Sequence, residues 1–238
     1  MRKPKSLRGG KALTKATRSE VDRFLSQVAA MPVGAARAGR LLFAMDATMS
    51  RQPSWDQALA LQAEMFDVAA DMGGLEVQLA WFRGLSEFRA SDWVQDARGL
   101  AQAMTGVHCR GGHTQIGRIL AHGIGEAKGG GVSALVYIGD SMEENADSLC
   151  QQAGELRLLG VPVFIFQEGQ DPSAKRVFQE IARLSGGAYC SFDSGSASVL
   201  KSLLRAVAAY AAGGRKALAE YGDREGGAAL LLSHQIGR

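Results

Sequence analysis

Leu41-Leu42-Phe43-Ala44-Met45-Asp46-Ala47-Thr48-Met49-Ser50 joins an unbroken apolar run to a short stretch rich in side-chain oxygen. An apolar run this short, with no polar alternation, predicts a strand buried on both faces, as in a parallel sheet covered by helices. The aspartate that ends it is followed at alternate positions by two hydroxyls. If the turn starts extended, the oxygens of Asp46, Thr48 and Ser50 point the same way. Ligand-binding groups of open α/β sheets gather at the carboxyl ends of strands, so this junction is the first place to look for a site.

Downstream the same alternation continues. Apolar runs at 76–82, 134–138, 161–166 and 188–192 predict further strands, separated by segments of helical spacing. Ser54 with Gln57 reads as a capping box opening a helix faced by Trp55, Leu59, Met65, Phe66 and Ala69, with Gly73-Gly74 as its stop. Residues 85–89 are expected as a short edge strand, blunted by Glu87 and Arg89. Helices are expected over 92–104 and around Ile116, Ile119, Leu120 and Ile124. Ser141 and Glu144 read as a second capping box, before a helix faced by Ala146, Leu149, Cys150, Ala153 and Leu156. Asp171-Pro172 is an N-cap with a first-turn proline, and Val199, Leu200, Leu203, Leu204, Val207 and Ala208 stripe a closing helix.

At 238 residues, 46% apolar and 21% charged, the composition is that of a globular chain able to bury a sizeable core. The net charge of +3 hides an asymmetry: residues 1–20 carry seven Lys or Arg against Glu20 alone, so the remainder is acidic on balance. Such an arm is more often solvated than bound, and no aromatic interleaves it for base stacking. The expected organisation is a basic disordered arm (1–20), an N-terminal helix or linker (21–36), an α/β body (37–213), and a tail (214–238) with an apolar cluster at 228–232. No apolar run approaches the roughly 20 residues of a membrane span, and charges break any secretory h-region. Three scattered cysteines, Cys109, Cys150 and Cys190, do not make a disulfide framework. A reducing, cytoplasmic, bacterial setting is expected; oligomeric state is open.

Two other junctions carry chemistry. Asp140 follows the run at 134–138, and Thr114 ends Gly111-Gly112-His113-Thr114 ahead of a helix. Two carboxylates and three hydroxyls then converge. Asp46 and Asp140 would repel in a partly desolvated cleft unless a cation sat between them. An all-oxygen set selects a hard ion, Mg²⁺ or Mn²⁺, over zinc or copper. One coordination position would stay open to a carboxylate from another molecule. Arg51, His113, Ser141, Met142 and Glu143 would rim the site. The bland alternative is that Thr48, Ser50 and Asp140 merely cap helices, with Glu143 and Glu144 complementing a helix dipole. Cys109, His108 and His113 lack zinc-site spacing, Cys150 and Cys190 read as small hydrophobes, and Gly129-Gly130-Gly131 is a turn rather than a phosphate loop.

Asp46-x-Thr48-x-Ser50, Thr114 in its Gly-Gly-x-Thr setting, and Asp140 at a strand end resemble the metal-ion-dependent adhesion site of von Willebrand factor A domains. Thr48 stands where that pattern has its first serine and keeps the hydroxyl. His113 intrudes where many relatives run straight from glycine to threonine. The resemblance covers about residues 37–213 and implies an α/β, Rossmann-like fold. Its sheet would be doubly wound, mostly parallel and six-stranded, with one short antiparallel edge strand and helices on both faces. It also implies Mg²⁺ (or Mn²⁺) at Asp46, Thr48, Ser50, Thr114 and Asp140, and a protein partner presenting Asp or Glu. In bacterial relatives that partner is often an AAA+ ATPase or an assembly component.

The function expected from these residues is non-enzymatic, metal-dependent protein binding, since no Lys or Cys sits at a strand end as base or nucleophile and His113 lies in a loop. The alternative is a Mg²⁺-dependent phosphohydrolase with Asp46 as nucleophile, which would want a carboxylate where Thr48 stands. A further alternative is a nucleic-acid-associated adaptor acting through the basic arm.

Overall fold

The computed structural model describes residues 23, 39–70, 74–193 and 197–225. The basic arm, the 21–36 segment apart from Arg23, and the 228–232 cluster lie outside the described residues.

Six strands build one sheet: β1 (Arg40–Asp46), β2 (Glu76–Arg83), β3 (Glu87–Val94), β4 (Ala134–Gly139), β5 (Val163–Glu168) and β6 (Ala188–Phe192), in the order β3-β2-β1-β4-β5-β6. All neighbours pair parallel except β3, which turns back antiparallel on β2 through Gly84 at φ 62°. After β2 and β3 the chain crosses to the other side of β1 to lay down β4. The carboxyl ends of β1 and β4 therefore flank the point where strand order reverses, which in open sheets is where a crevice forms. Asp46 ends β1 and Asp140 directly follows β4.

Helices α1 (Gln52–Leu61), α2 (Ala63–Ala70), α3 (Ala97–Thr105) and α7 (Ala197–Glu225) cover one face; α4 (Ile116–Gly129), α5 (Ala146–Leu158) and α6 (Pro172–Ser185) cover the other. The two-residue period of β1 feeds both cores. Leu41, Phe43 and Met45 pack with Trp55, Met65 and Leu204, while Leu42 and Ala44 pack with Ile119, Leu149 and Phe178. Leu41, Leu42 and Phe43 are fully buried, and each such side chain contributes roughly 1.5–3 kcal/mol of transfer free energy. That anchorage on both faces holds the end of β1, and hence Asp46, in a fixed place.

Several local expectations need correction. The edge strand runs over Glu87–Val94, longer than 85–89, so the following helix starts only at Ala97, where Asp96 accepts from the Gly99 amide at 2.7 Å. Neither capping box forms. A 3₁₀ turn at Met49–Arg51 starts the first helix earlier, Pro53 sits in its first turn, and Ser54 is buried inside, where its hydroxyl accepts from Arg51. The helix also divides at Gln62 rather than running on toward Gly73. In the second case Asn145 caps α5 by accepting from the Ser148 amide at 2.9 Å. Ser141 and Glu144 are engaged elsewhere, as described below. Asp171 does cap α6, accepting from the amides of Ser173 and Ala174, both at 2.7 Å. The closing helix breaks at Gly214 (φ 66°, ψ −158°) and continues to Glu225.

Candidate metal centre

Asp46 shares the β1 face of Leu42 and Ala44 and is 1% exposed. Its Oδ1 accepts from the Thr48 amide at 2.7 Å, while Oδ2 is buried with no hydrogen-bond partner. Burial pushes the carboxyl up to about 6, and the nearby charge of Asp140 adds to this. The hydrogen bonds from Thr48 and the positive charge of Arg51 oppose the rise without cancelling it. A buried oxygen left unpaired costs on the order of 1–3 kcal/mol. A cation bound there would relieve both the charge and the missing partner.

The 3₁₀ turn Met49–Arg51 carries Ser50 and Arg51 to Asp140. Ser50 Oγ donates to Asp140 Oδ2 at 3.1 Å, and Arg51 Nη1 reaches the same oxygen at 3.1 Å. The other carboxylate oxygen, Oδ1, accepts from Ser141 Oγ at 3.1 Å, which is why Ser141 does not cap a helix. The second guanidinium nitrogen of Arg51 pairs with Glu168, at the end of β5, and with Ser54 Oγ. The ends of three strands are thus tied by one arginine.

Thr114 arrives from the glycine-rich loop. It is buried, and its Oγ1 accepts from the Glu143 amide at 3.1 Å, fastening this loop to the one that follows Asp140. The loop is also held by the Arg110 amide on Ala47 O at 2.9 Å and by the His113 amide on Gly84 O at 3.1 Å. Gly112 is required there: a Cβ on it would sit 2.0 Å from Gly84 O. The extra residue His113 is accommodated by turning its ring outward, where Nδ1 meets Glu143 Oε2 at 2.8 Å. Beyond Thr114, Glu144 accepts from the Ile116 and Gly117 amides at 2.5 and 2.9 Å, so its charge serves the N-terminus of α4 rather than its own helix.

Four of the five expected ligands are therefore in contact in pairs, Asp46 with the Thr48 amide and Ser50 with Asp140, while Thr114 is tied by the Glu143 amide to the loop that follows Asp140. The donor set is all oxygen, Asp46 presents an orphaned buried atom, and Ser50 is exposed. These residues fit a hard divalent ion. Among the described residues no group of three or more His, Cys, Asp and Glu side chains is placed to hold a metal, so an ion here would depend on hydroxyls as well as carboxylates.

Of the expected rim, His113 and Glu143 are exposed and Ser141 and Met142 half-buried, but Arg51 is 3% exposed and lies beneath the site. Two features were missed in sequence: Glu168, and the inward course of Arg51. The first acid after the apolar run at 161–166 is the signal for Glu168, hidden because that strand is expected to stop at 166. Met49, 66% exposed, is a further rim residue. Cys109 is half-buried in the same loop system, its thiol pushed up to about 11 by burial and by the charge of Asp46.

No family model matches the chain, nor does any curated protein in sequence comparison. Comparison of structures does find likenesses. A von Willebrand factor type A protein from Catenulispora acidiphila matches with a TM-score of 0.58 at 17% identity, over 75% of this chain and 44% of that one. The SpRpn10 VWA domain matches with a TM-score of 0.53 at 12% identity, over 69% of this chain and 94% of that domain. The pilus adhesin SpaC from Lactobacillus rhamnosus GG, in an open conformation, matches with a TM-score of 0.57 at 11% identity, over 79% of this chain and 31% of the adhesin. The chain thus spans less than half the length of two of these three proteins. With the strand order, the antiparallel edge and the helices on both faces, these likenesses show that the chain has the von Willebrand factor A fold.

Proposed function

We propose that this chain is a protein-interaction module that binds an acidic side chain of its partner through a divalent cation, Mg²⁺ or Mn²⁺. The observation that carries this is the buried, unpartnered Oδ2 of Asp46 at a strand-order switch point, beside the hydroxyl and carboxylate groups of Thr48, Ser50, Thr114 and Asp140. Those five residues would hold the ion, which would supply Lewis acidity toward an incoming carboxylate. Asp46 and Asp140 provide the negative charge that retains it. Ser141 and Arg51 fix the Asp140 carboxylate, and the Thr114–Glu143 bond fixes the loop spacing. Exposed Met49, Ser50, His113 and Glu143 form the rim a partner would meet. Two of the proteins with this fold are an adhesin and a VWA domain of Rpn10, which supports an interaction role over a catalytic one.

A phosphohydrolase would need an acid two residues after Asp46, and Thr48 there offers only a hydroxyl and a backbone donor. An AAA+ ATPase or assembly component is the partner class that the resemblance favours. The test is an affinity column carrying this chain, loaded in Mg²⁺ and eluted with chelator, beside an Asp46→Ala column. The expected result is a protein released by chelator from the first column only, whose binding is lost when one of its acidic residues is neutralised. Chelator-indifferent binding, or Mg²⁺-dependent turnover of a generic aryl phosphate that Asp46→Asn abolishes, would overturn the proposal.

A further inference from the structure

Resting on that reading of the site, we propose that Arg51 is a built-in counter-charge that sets how much positive charge the site accepts. Three carboxylates meet here, Asp46, Asp140 and Glu168, and the hydrogen bonds and ion pairs of the Arg51 guanidinium go to Asp140, Glu168 and Ser54. Asp46 Oδ2 has no hydrogen-bond partner. Arg51 therefore neutralises the Asp140–Glu168 side and leaves the Asp46 side to another cation. One guanidinium against three carboxylates leaves two negative charges, the complement of one divalent ion.

The geometry suits a permanent fixture. Arg51 is 3% exposed, its backbone amide closes the 3₁₀ turn on Thr48 O at 3.0 Å, and its planar fork spans two carboxylates at once. A guanidinium stays charged at any pH the protein survives, and lysine could not make the same two-way bridge. Glu168 is the other half of the device. Its side chain is 13% exposed, so its charge is set against Arg51 rather than dispersed into water. The site then discriminates by total charge as well as by oxygen chemistry.

The test is ion binding by calorimetry on the intact chain at pH 8 and low salt, with Mg²⁺, Mn²⁺ and Tb³⁺, for the wild type, Arg51→Gln, Glu168→Gln and the double variant. Removing the guanidinium should tighten Mg²⁺ about tenfold and Tb³⁺ more, and Glu168→Gln should weaken Mg²⁺ about tenfold, as one unit charge a few ångströms away requires. The double variant should return close to wild type. If Arg51→Gln does not fold, Glu168→Gln decides alone. Unchanged Mg²⁺ affinity in both single variants overturns the counter-charge and leaves the metal centre standing. Ion binding by Arg51→Gln but not by wild type also overturns it, because Arg51 would then occupy the ion's place. No ion binding by any folded variant overturns the metal centre itself.

Discussion

Arg51 Nη1 reaches Asp140 Oδ2 at 3.1 Å from beneath the site, the same oxygen to which Ser50 donates from above. Two neighbours in sequence, Arg51 buried and Ser50 exposed, thus hold the carboxylate that follows β4 by the same oxygen. The consequence is a site whose acidic groups are positioned by the fold before any partner arrives, and whose charge is only partly balanced.

Asp46→Asn should stabilise the protein in chelator while abolishing any response to divalent ion. The native carboxyl is raised to about 6, so the native state holds its proton more tightly than the unfolded chain, and stability falls as pH rises from about 4 to 6. Above pH 6 the amide should recover on the order of 2 kcal/mol. Chemical denaturation at pH 8 in chelator checks this; an equally large gain at pH 4 would contradict it.

Gly112→Ala should lower stability by about 1–3 kcal/mol, because its Cβ must push Gly84 O away. The same shift moves Thr114, two residues on. Any ion-dependent rise in melting temperature should therefore shrink in the variant, whereas Gly111→Ala, with nothing within 4 Å of its Cβ, should change neither.

Glu144→Ala leaves the Ile116 and Gly117 amides without their acceptor and removes a negative charge from the start of α4. The cost of losing a cap is about 1 kcal/mol. Hydrogen exchange should quicken at Ile116 and Gly117 and not at the first turn of α5, which Asn145 caps.

His122 Nε2 meets Gln78 Oε1 at 2.8 Å and packs near Phe88, and burial holds its pKa below the usual histidine value despite Glu126. A native histidine harder to protonate than the unfolded one contributes stability above the unfolded pKa and loses it as pH falls below about 6.5. Between pH 7 and pH 5.5, where Asp46 pulls the other way, the melting temperature of the wild type should decline relative to that of His122→Gln. An identical slope in the variant would assign the decline to other groups.

Strand positions were legible because β1, β2, β4, β5 and β6 are short apolar runs buried by helices, and burial on both faces leaves little room for polar residues. The motif residues were legible for a related reason: Asp46 and Asp140 interrupt or end those runs. The helix starts were harder. Ser54 and Gln57 have capping-box spacing, but an arginine inside the fold needed the serine, and Glu144 was needed by a helix that precedes it in sequence. Both are tertiary demands that no local window contains. The inward turn of Arg51 is the same kind of case, since its partners, Asp140 just after β4 and Glu168 at the end of β5, come much later in the chain.

The most direct test of a metal centre at Asp46 is the melting temperature of the purified chain in Mg²⁺, Mn²⁺ or chelator, beside Asp46→Ala. Ion at about 100 times its dissociation constant adds about 2.7 kcal/mol, worth roughly 5–10 °C for a domain of this size. The account predicts such a rise in the wild type with either ion and none in Asp46→Ala. A wild type that melts at the same temperature in millimolar ion and in chelator would contradict it.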